Sequence, residues 1–227
     1  ERFAALRFQG ITVVPNLGLL PEQSWSLEFG GNKEFDWGES PCSLDISYFQ
    51  NELFQLVEPF FRFNGQTPQI KFQNITRARI QGMEIAFKGF FNKIIGVESS
   101  ITLMNPRIYE LDIPLSFRSP VLWYSKIYIP LGNGFEAQLD YRFIARVERI
   151  DPLIEELNSK IKFISDADAR VASHVVDARL MANLQQILDI PITLTLNAKN
   201  IFDYYYVEIL GNLAPIRNIS LQIDAKL

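Results

Sequence analysis

Apolar and polar residues alternate with a period of two along most of this chain, most clearly toward its C-terminal end. Ile219, Leu221, Ile223, Ala225 and Leu227 alternate with Ser220, Gln222, Asp224 and Lys226. Ile192, Leu194, Leu196 and Ala198 alternate with Thr193, Thr195, Asn197 and Lys199. Between 135 and 147 one parity holds Phe135, Ala137, Leu139, Tyr141, Phe143, Ala145 and Val147, while the other carries Glu136, Gln138, Asp140, Arg142 and Arg146. Val176 to Leu184 repeats the pattern against Asp177, Arg179, Asn183 and Gln185. Side chains of a strand point alternately to its two faces, so each segment reads as a strand with one apolar and one polar surface. Weaker copies surround Trp25, Leu44, Ile101 and Trp123. Between 75 and 91 the apolar parity changes from even (Ala78, Ile80) to odd (Met83, Ile85, Phe87), which predicts a bulge at Gly82. Nine strands are predicted, centred near 28, 50, 82, 101, 125, 141, 178, 197 and 221, with a further one within 2–14.

The predicted connectors alternate in length. Short ones lie near 36–41, 92–96, 131–134 and 186–191, and long ones near 57–72, 105–116, 149–170 and 204–214. An antiparallel meander built this way has short turns at one end and long loops at the other, the asymmetry of an outer-membrane barrel. Several alternating segments run for roughly 9–12 residues, enough for a tilted strand to cross a bilayer. Their polar faces carry Arg142, Arg146, Asp177, Arg179, Asp224 and Lys226, which suit a wet or plugged lumen and not lipid. Tyr204, Tyr205 and Tyr206 gather at a strand end, as an interfacial girdle requires.

Composition fits this picture and removes others. The 227 residues are 48% hydrophobic and 21% charged, so the chain is not disordered. A net charge of −4 gives no electrostatic basis for nucleic-acid binding. One Cys and one His exclude an internal disulfide and a His/Cys zinc cage. Mean hydropathy is only +0.03, and no run of 18 apolar residues makes a membrane-spanning helix.

Four short motifs, in order, resemble the C-terminal barrel of the TonB-dependent outer-membrane receptors. Leu20-Pro21-Glu22 followed by Trp25 to Gly30 is similar to the start of a descending strand, "L-x-P-E … E-x-G". Asn74 to Ile80, followed by Gly82-Met83-Glu84, is similar to "N … A-x-I-x-G-V-E". Asn200-Ile201-Phe202-Asp203 with Tyr206 is similar to "N-L-F-D-x-x-Y" of the penultimate strand. Gly211, Pro215 and Arg217 are similar to "G … P-x-R" of the last one. The chain ends in Leu227, where family chains usually end in an aromatic residue.

The resemblance implies an all-β fold, an antiparallel up-and-down transmembrane barrel fragment. Residues 1–227 would supply nine or ten strands of a barrel of about 22, with the plug domain outside this chain. It further implies a bacterial outer-membrane receptor for energy-coupled uptake of a ferric siderophore, haem, cobalamin or oligosaccharide. Its partners would be outer-membrane lipid, the plug and the rest of the barrel, an inner-membrane energy-coupling protein reached through the plug, and the extracellular ligand. No cofactor and no catalysis are implied, and the chain has no Gly-rich phosphate loop or Gly-x-Ser-x-Gly elbow. Two other readings of the alternation stay open: a self-contained barrel of eight to ten strands acting as pore or adhesin, and a soluble β-sandwich binding module.

Individual residues add candidate chemistry. Arg146, Arg149 and Arg179 suit an anionic ligand at the lumen or rim, or equally ion pairs with Asp177 and Glu148. His174 reads as an interfacial side chain, and Cys42 as inert. The acidic 151–168 stretch matches no EF-hand spacing and reads as a solvated loop with a short helix at 152–160. Asn200 and Asp203 read as strand-end caps with Phe202 as an anchor.

Overall fold

The computed structural model describes residues 7–8, 11–65, 67–92, 94–150, 171–209 and 212–225. The chain opens with two short strands, β1 (Arg7–Phe8) and β2 (Ile11–Val14). There follow β3 (Gln23–Trp37), β4 (Ser40–Asn64), β5 (Thr67–Phe91), β6 (Ile95–Ile108), β7 (Ile113–Pro114), β8 (Val121–Gly132), β9 (Phe135–Ile144) and β10 (Ser173–Asn183). A single helical turn, α1 (Leu184–Leu188), leads to β11 (Ile192–Lys199), β12 (Val207–Ile209), β13 (Asn212–Leu213) and β14 (Asn218–Ala225). Nine of these form one antiparallel meander in chain order, β3-β4-β5-β6-β8-β9-β10-β11-β14. They are the nine predicted strands.

The registers carry one polarity across the whole sheet. Phe29 stands opposite Tyr48, Ile46 opposite Ile85, Ile85 opposite Ile101, Ile101 opposite Trp123 and Trp123 opposite Phe143. The series continues through Leu139–Ala178, Leu180–Leu196 and Leu196–Leu221. Apart from Ala78 and Ile80 of β5, which lie on the other face, the apolar parities read from the sequence fall on one face. The opposite face holds Glu84, Lys88, Glu98, Lys126, Asp140, Arg142, Arg179, Asn197 and Gln222. There Glu98 pairs with Lys88 at 3.1 Å and Lys126 at 2.8 Å, and Tyr124 donates to Asp140 at 2.7 Å.

Nothing among the described residues covers the apolar face. Phe29 is 63% exposed, Leu196 45% and Leu221 63%. The accessible surface is 15189 Å², against about 10,600 Å² for a globular protein of this mass. Among the described residues the sheet does not close on itself: β3 pairs with β4 alone, and β14 with β11 alone. A sandwich would need a second sheet against the apolar face, and the described residues supply none.

Two sequence expectations about β4 and β5 change. The region 57–72 is not a loop, because β4 and β5 remain paired up to Asn64–Thr67. At about 3.3 Å per residue, these 25-residue strands reach far beyond a bilayer. The bulge expected at Gly82 is absent, and pairing runs unbroken from Ser47–Glu84 to Asn51–Ile80. Arg77, Arg79 and Gln81 share a face with Met83, Ile85 and Phe87; the side chains change because that face leaves its apolar surroundings. The ladder is interrupted higher up, at Gln55, where φ is 55° and neither it nor Thr76 has a partner in the register.

Strand ends move as well. Regular pairing of β9 stops at Ile144 short of Val147, and β10 stops at Asn183, whose side chain caps α1 through Gln185 N at 3.1 Å. Connector 105–116 folds back as the β6–β7 hairpin, and 204–214 contains the β12–β13 hairpin. The helix expected at 152–160 lies outside the described residues.

Candidate functional site

The loop end of the sheet gathers the residues with chemical potential into three places. The first is a clamp beneath the projecting β4–β5 hairpin. The carboxylate of Glu22 accepts from Val57 N at 2.7 Å. Asn74 donates through Nδ2 to Gln55 O at 2.6 Å and Leu20 O at 3.0 Å, and accepts from Leu20 N at 2.9 Å. Asn16 donates to Phe72 O at 2.9 Å. The positive φ of Gln55 frees backbone groups from the ladder, and Glu22 and Asn74 satisfy those beside it. The motifs around Pro21-Glu22 and Asn74 are thus two halves of one clamp.

The second place is a cavity of about 820 Å³ between that hairpin and the β6–β7 hairpin. Phe60, Phe61, Ile108 and Ile113 give it apolar walls, and Glu58, Asn74 and Arg149 give it polar groups. Arg118 donates to Glu58 at 3.0 Å, tying the hairpin to the loop before β8. Burial pushes the Glu58 carboxyl above its ordinary value, with the Glu22 charge acting the same way and Arg118 opposing both. Arg149 donates to Pro114 O at 3.2 Å. Such a site offers aromatic contact, one cation (Arg149) and two carboxylates (Glu58 and Glu110) to a molecule entering from the loop end.

The third place is the clasp between β11 and β14. Asn200, at φ 49° and 3% exposed, receives Tyr204 N on Oδ1 at 2.8 Å and donates to Tyr204 O at 2.8 Å and Pro215 O at 3.3 Å. Its own N–H donates to Asp177 at 2.7 Å. Asp203 accepts from Arg217 N at 2.9 Å. Arg142 donates to the Tyr206 hydroxyl at 3.1 Å. Asn200, Asp203, Pro215 and Arg217 therefore meet although they come from two separate motifs.

Other candidates fall elsewhere. Arg179 lies on the polar face and donates to Asn197 at 3.0 Å. Asp177 is engaged by Asn200, and Glu148 stands 3.6 Å from Arg107, so neither is the partner expected for Arg149 or Arg179. Arg146 follows β9 in the connecting segment, apart from the cavity lining. Tyr206 is buried beside Arg142 and does not join a girdle, whereas Phe202 is 73% exposed. At the loop end of the apolar face the aromatic cluster is Trp123, Tyr141, Phe143 and His174. His174 Nδ1 lies 2.8 Å from the Tyr141 hydroxyl, and its ring centroid 4.8 Å from that of Phe143. Glu84 is on the polar face. Cys42 is buried, with its thiol toward Ser40 O at 3.5 Å. Glu58 and Arg118 escaped the sequence reading, because neither belongs to a motif and 60 residues separate them.

Comparison with known proteins bears on the fold and the family. No curated protein matches the chain significantly. Among solved structures, the copper transporter OprC superimposes with a TM-score of 0.69 at 16% identity, over 92% of this chain and 33% of that one. A mutant of the ferric enterobactin receptor PfeA from Pseudomonas aeruginosa gives 0.63 at 13% identity, over 95% and 32%. P. aeruginosa FpvA bound to pyoverdine gives 0.62 at 14%, over 90% and 27%. The chain spans about a third of the length of these proteins, and at such identities the likeness is one of fold. The family described as "TonB dependent receptor-like, beta-barrel" matches residues 2–201, which include eight of the nine meander strands and the clamp beneath the hairpin. With that match over most of its length and the barrel meander in its structure, the chain belongs to the TonB-dependent receptor β-barrel family.

Proposed function

We propose that this chain is the C-terminal sector of a bacterial outer-membrane receptor that imports a scarce nutrient. The observation that carries the reading is the open nine-stranded sheet, with an apolar band across one face and a polar opposite face, and tight turns at one end. In lipid the apolar face needs no covering layer, and the polar face lines a lumen. The free edges of β3 and β14 pair with the remaining strands of a barrel of about 22. A plug domain outside this chain fills the lumen and reaches an inner-membrane energy-coupling protein. The cavity beside Glu58 and Arg149 lies at the extracellular mouth and contributes to ligand capture. The ligand is a ferric siderophore, haem, cobalamin or an oligosaccharide. OprC is a copper transporter and PfeA a ferric enterobactin receptor, which supports import of a metal or its chelate.

Uptake decides the matter. Cells with and without the full gene should be given labelled ferric siderophores, haem, cobalamin and oligosaccharides in turn. Gene-dependent accumulation of one class, abolished when the inner-membrane proton gradient is collapsed, is the expected result. Accumulation indifferent to the gradient would indicate a passive pore.

Two further outcomes test the architecture. With Cys42 replaced by Ala, a cysteine at Asn64, on the projecting hairpin, should react with an impermeant reagent on intact cells. One at Asn133, in the β8–β9 turn, should not, and equal labelling would contradict the orientation. The isolated 227-residue chain, with two unpaired strand edges, should give aggregates or heterogeneous detergent complexes. A monodisperse, heat-resistant monomer would favour a self-contained barrel.

A further inference from the structure

At the loop end, the apolar face gives way to a cluster of arginines that point outward. Above Met83 and Leu103 come Gln81 and Asn105, then Arg79 and Arg107, paired across β5 and β6. Glu52 stands opposite Arg79 on β4 and is fully buried. Its carboxylate accepts from Arg77 Nε at 2.8 Å, from Arg79 Nε, and from Gln50 Nε2 at 3.0 Å. Tyr109 lies against both guanidinium groups, its ring centroid 3.9 Å from the Arg77 Cζ and 4.6 Å from that of Arg79. Each arginine thus gives its Nε to Glu52 and lies against the Tyr109 ring. The terminal Nη groups of Arg77 and Arg79 have no partner among the described residues, and the side chains stay 31% and 29% exposed. Arg107 joins them, held by Asn105 at 2.7 Å and Glu148 at 3.6 Å.

Their height matters. Arg79 is four residues beyond Met83, roughly 10 Å along a tilted strand. The headgroup layer adds about 5–8 Å to each side of the hydrocarbon, within reach of an arginine side chain. The opposite end of the same face carries Phe35, Trp37, Phe91, Leu131 and Phe135, with Lys33 of the edge strand the only cation there among the described residues. The asymmetry places a planar donor cluster at the outer leaflet alone.

We infer that Arg77, Arg79 and Arg107 form a site for the phosphate of an outer-leaflet lipid headgroup, an inference that rests on the membrane reading above. Guanidinium donors preorganised on a buried carboxylate and an aromatic ring suit a tetrahedral oxyanion, which accepts paired N–H groups. Glu110 and Glu148 stand at the rim of the cluster and weaken its field. Removing them should therefore strengthen binding.

The test uses the full receptor in phosphatidylcholine nanodiscs doped with a bis-phosphorylated glycolipid or with the same glycolipid lacking both phosphates. Lipid retained after release is weighed by native mass spectrometry. The wild type should hold the phosphorylated form preferentially, and millimolar inorganic phosphate should leave it in place. Replacing Glu52, Arg77 and Arg79 together by Gln leaves no buried charge unpaired. That variant should lose retention by roughly fivefold for each arginine removed, and Glu110→Gln with Glu148→Gln should gain it. Should the triple variant fail to fold, Arg107→Gln leaves the Glu52 pair intact and should still lose roughly fivefold. Equal retention of both glycolipids, displacement by free phosphate, or unchanged retention in the arginine variants would overturn the site in a correctly inserted receptor. Failure of the wild type to insert would overturn the membrane reading and the site with it.

Discussion

Leu196→Lys should damage the assembled barrel, while Asn197→Lys, one residue along the same strand, should be nearly silent. Leu196 pairs with Leu180 and Leu221 on the face that meets lipid, and it is 45% exposed with no protein layer over it. A lysine near the bilayer midplane costs roughly 2–4 kcal/mol. Asn197 looks the other way, beside Arg179 and Ser220 and on the same parity as Lys199, toward water in the lumen. The comparison cancels most strand-propensity effects, since both positions receive the same residue in β11. Reversible folding of the full protein into lipid vesicles, titrated with urea, reads the difference. Equal losses for the two variants would mean that β11 does not separate lipid from lumen.

Gly82→Val should be the second severe substitution, and Gly31→Val its harmless counterpart. Phe49 crosses the strand to cover Gly82, and a Cβ there would lie 2.8 Å from the Phe49 ring and closer still to the Leu103 carbonyl oxygen. The carbonyl belongs to the β5–β6 ladder and cannot yield without breaking the pairing. Overpacking of this kind costs about 1–3 kcal/mol, and conflict with backbone lies at the upper end. Gly31 has no atom within 4 Å of the equivalent position, and its side faces lipid, where a branched apolar group is welcome. Urea midpoints of the two variants should separate clearly. A Gly82→Val protein as stable as the parent would show that the Phe49 ring and Leu103 backbone relax freely.

The strands were legible because the membrane imposes a simple rule on them: each position faces either hydrocarbon or water. Ile192 to Ala198 and Ile219 to Ala225 obey it throughout, so their parity and register could be read directly. Where a strand rises out of the bilayer the rule lapses. Val57, Glu58, Pro59, Phe60 and Phe61 do not alternate, and the paired hairpin they form looked like a loop. The same loss of contrast imitated a bulge at Gly82, since Arg79 and Met83 share a face but not a solvent. Motif residues such as Glu22, Asn74 and Asn200 were visible as words, yet their partnerships were not. Glu22 meets a backbone group 35 residues away, and Arg142 meets Tyr206 across 64. No local pattern encodes such distances.

The pairing of β2 has a consequence in time. Its residues Thr12 to Val14 run parallel to Gln69–Lys71 of β5, on the edge that β6 leaves vacant beyond Ala78. From there residues 15–22 cross the hairpin and are fastened by Asn74 and Val57 before β3 begins. All of these docking points lie later in the chain than the segment they receive. The hairpin must zip first, and the earlier residues then fold onto a finished template. Closing that contact spans more than 50 residues, and its entropic cost is met only once the β4–β5 ladder is in place. Assembly at this edge therefore runs against the direction of synthesis, with the earlier-made segment settling after the hairpin that receives it.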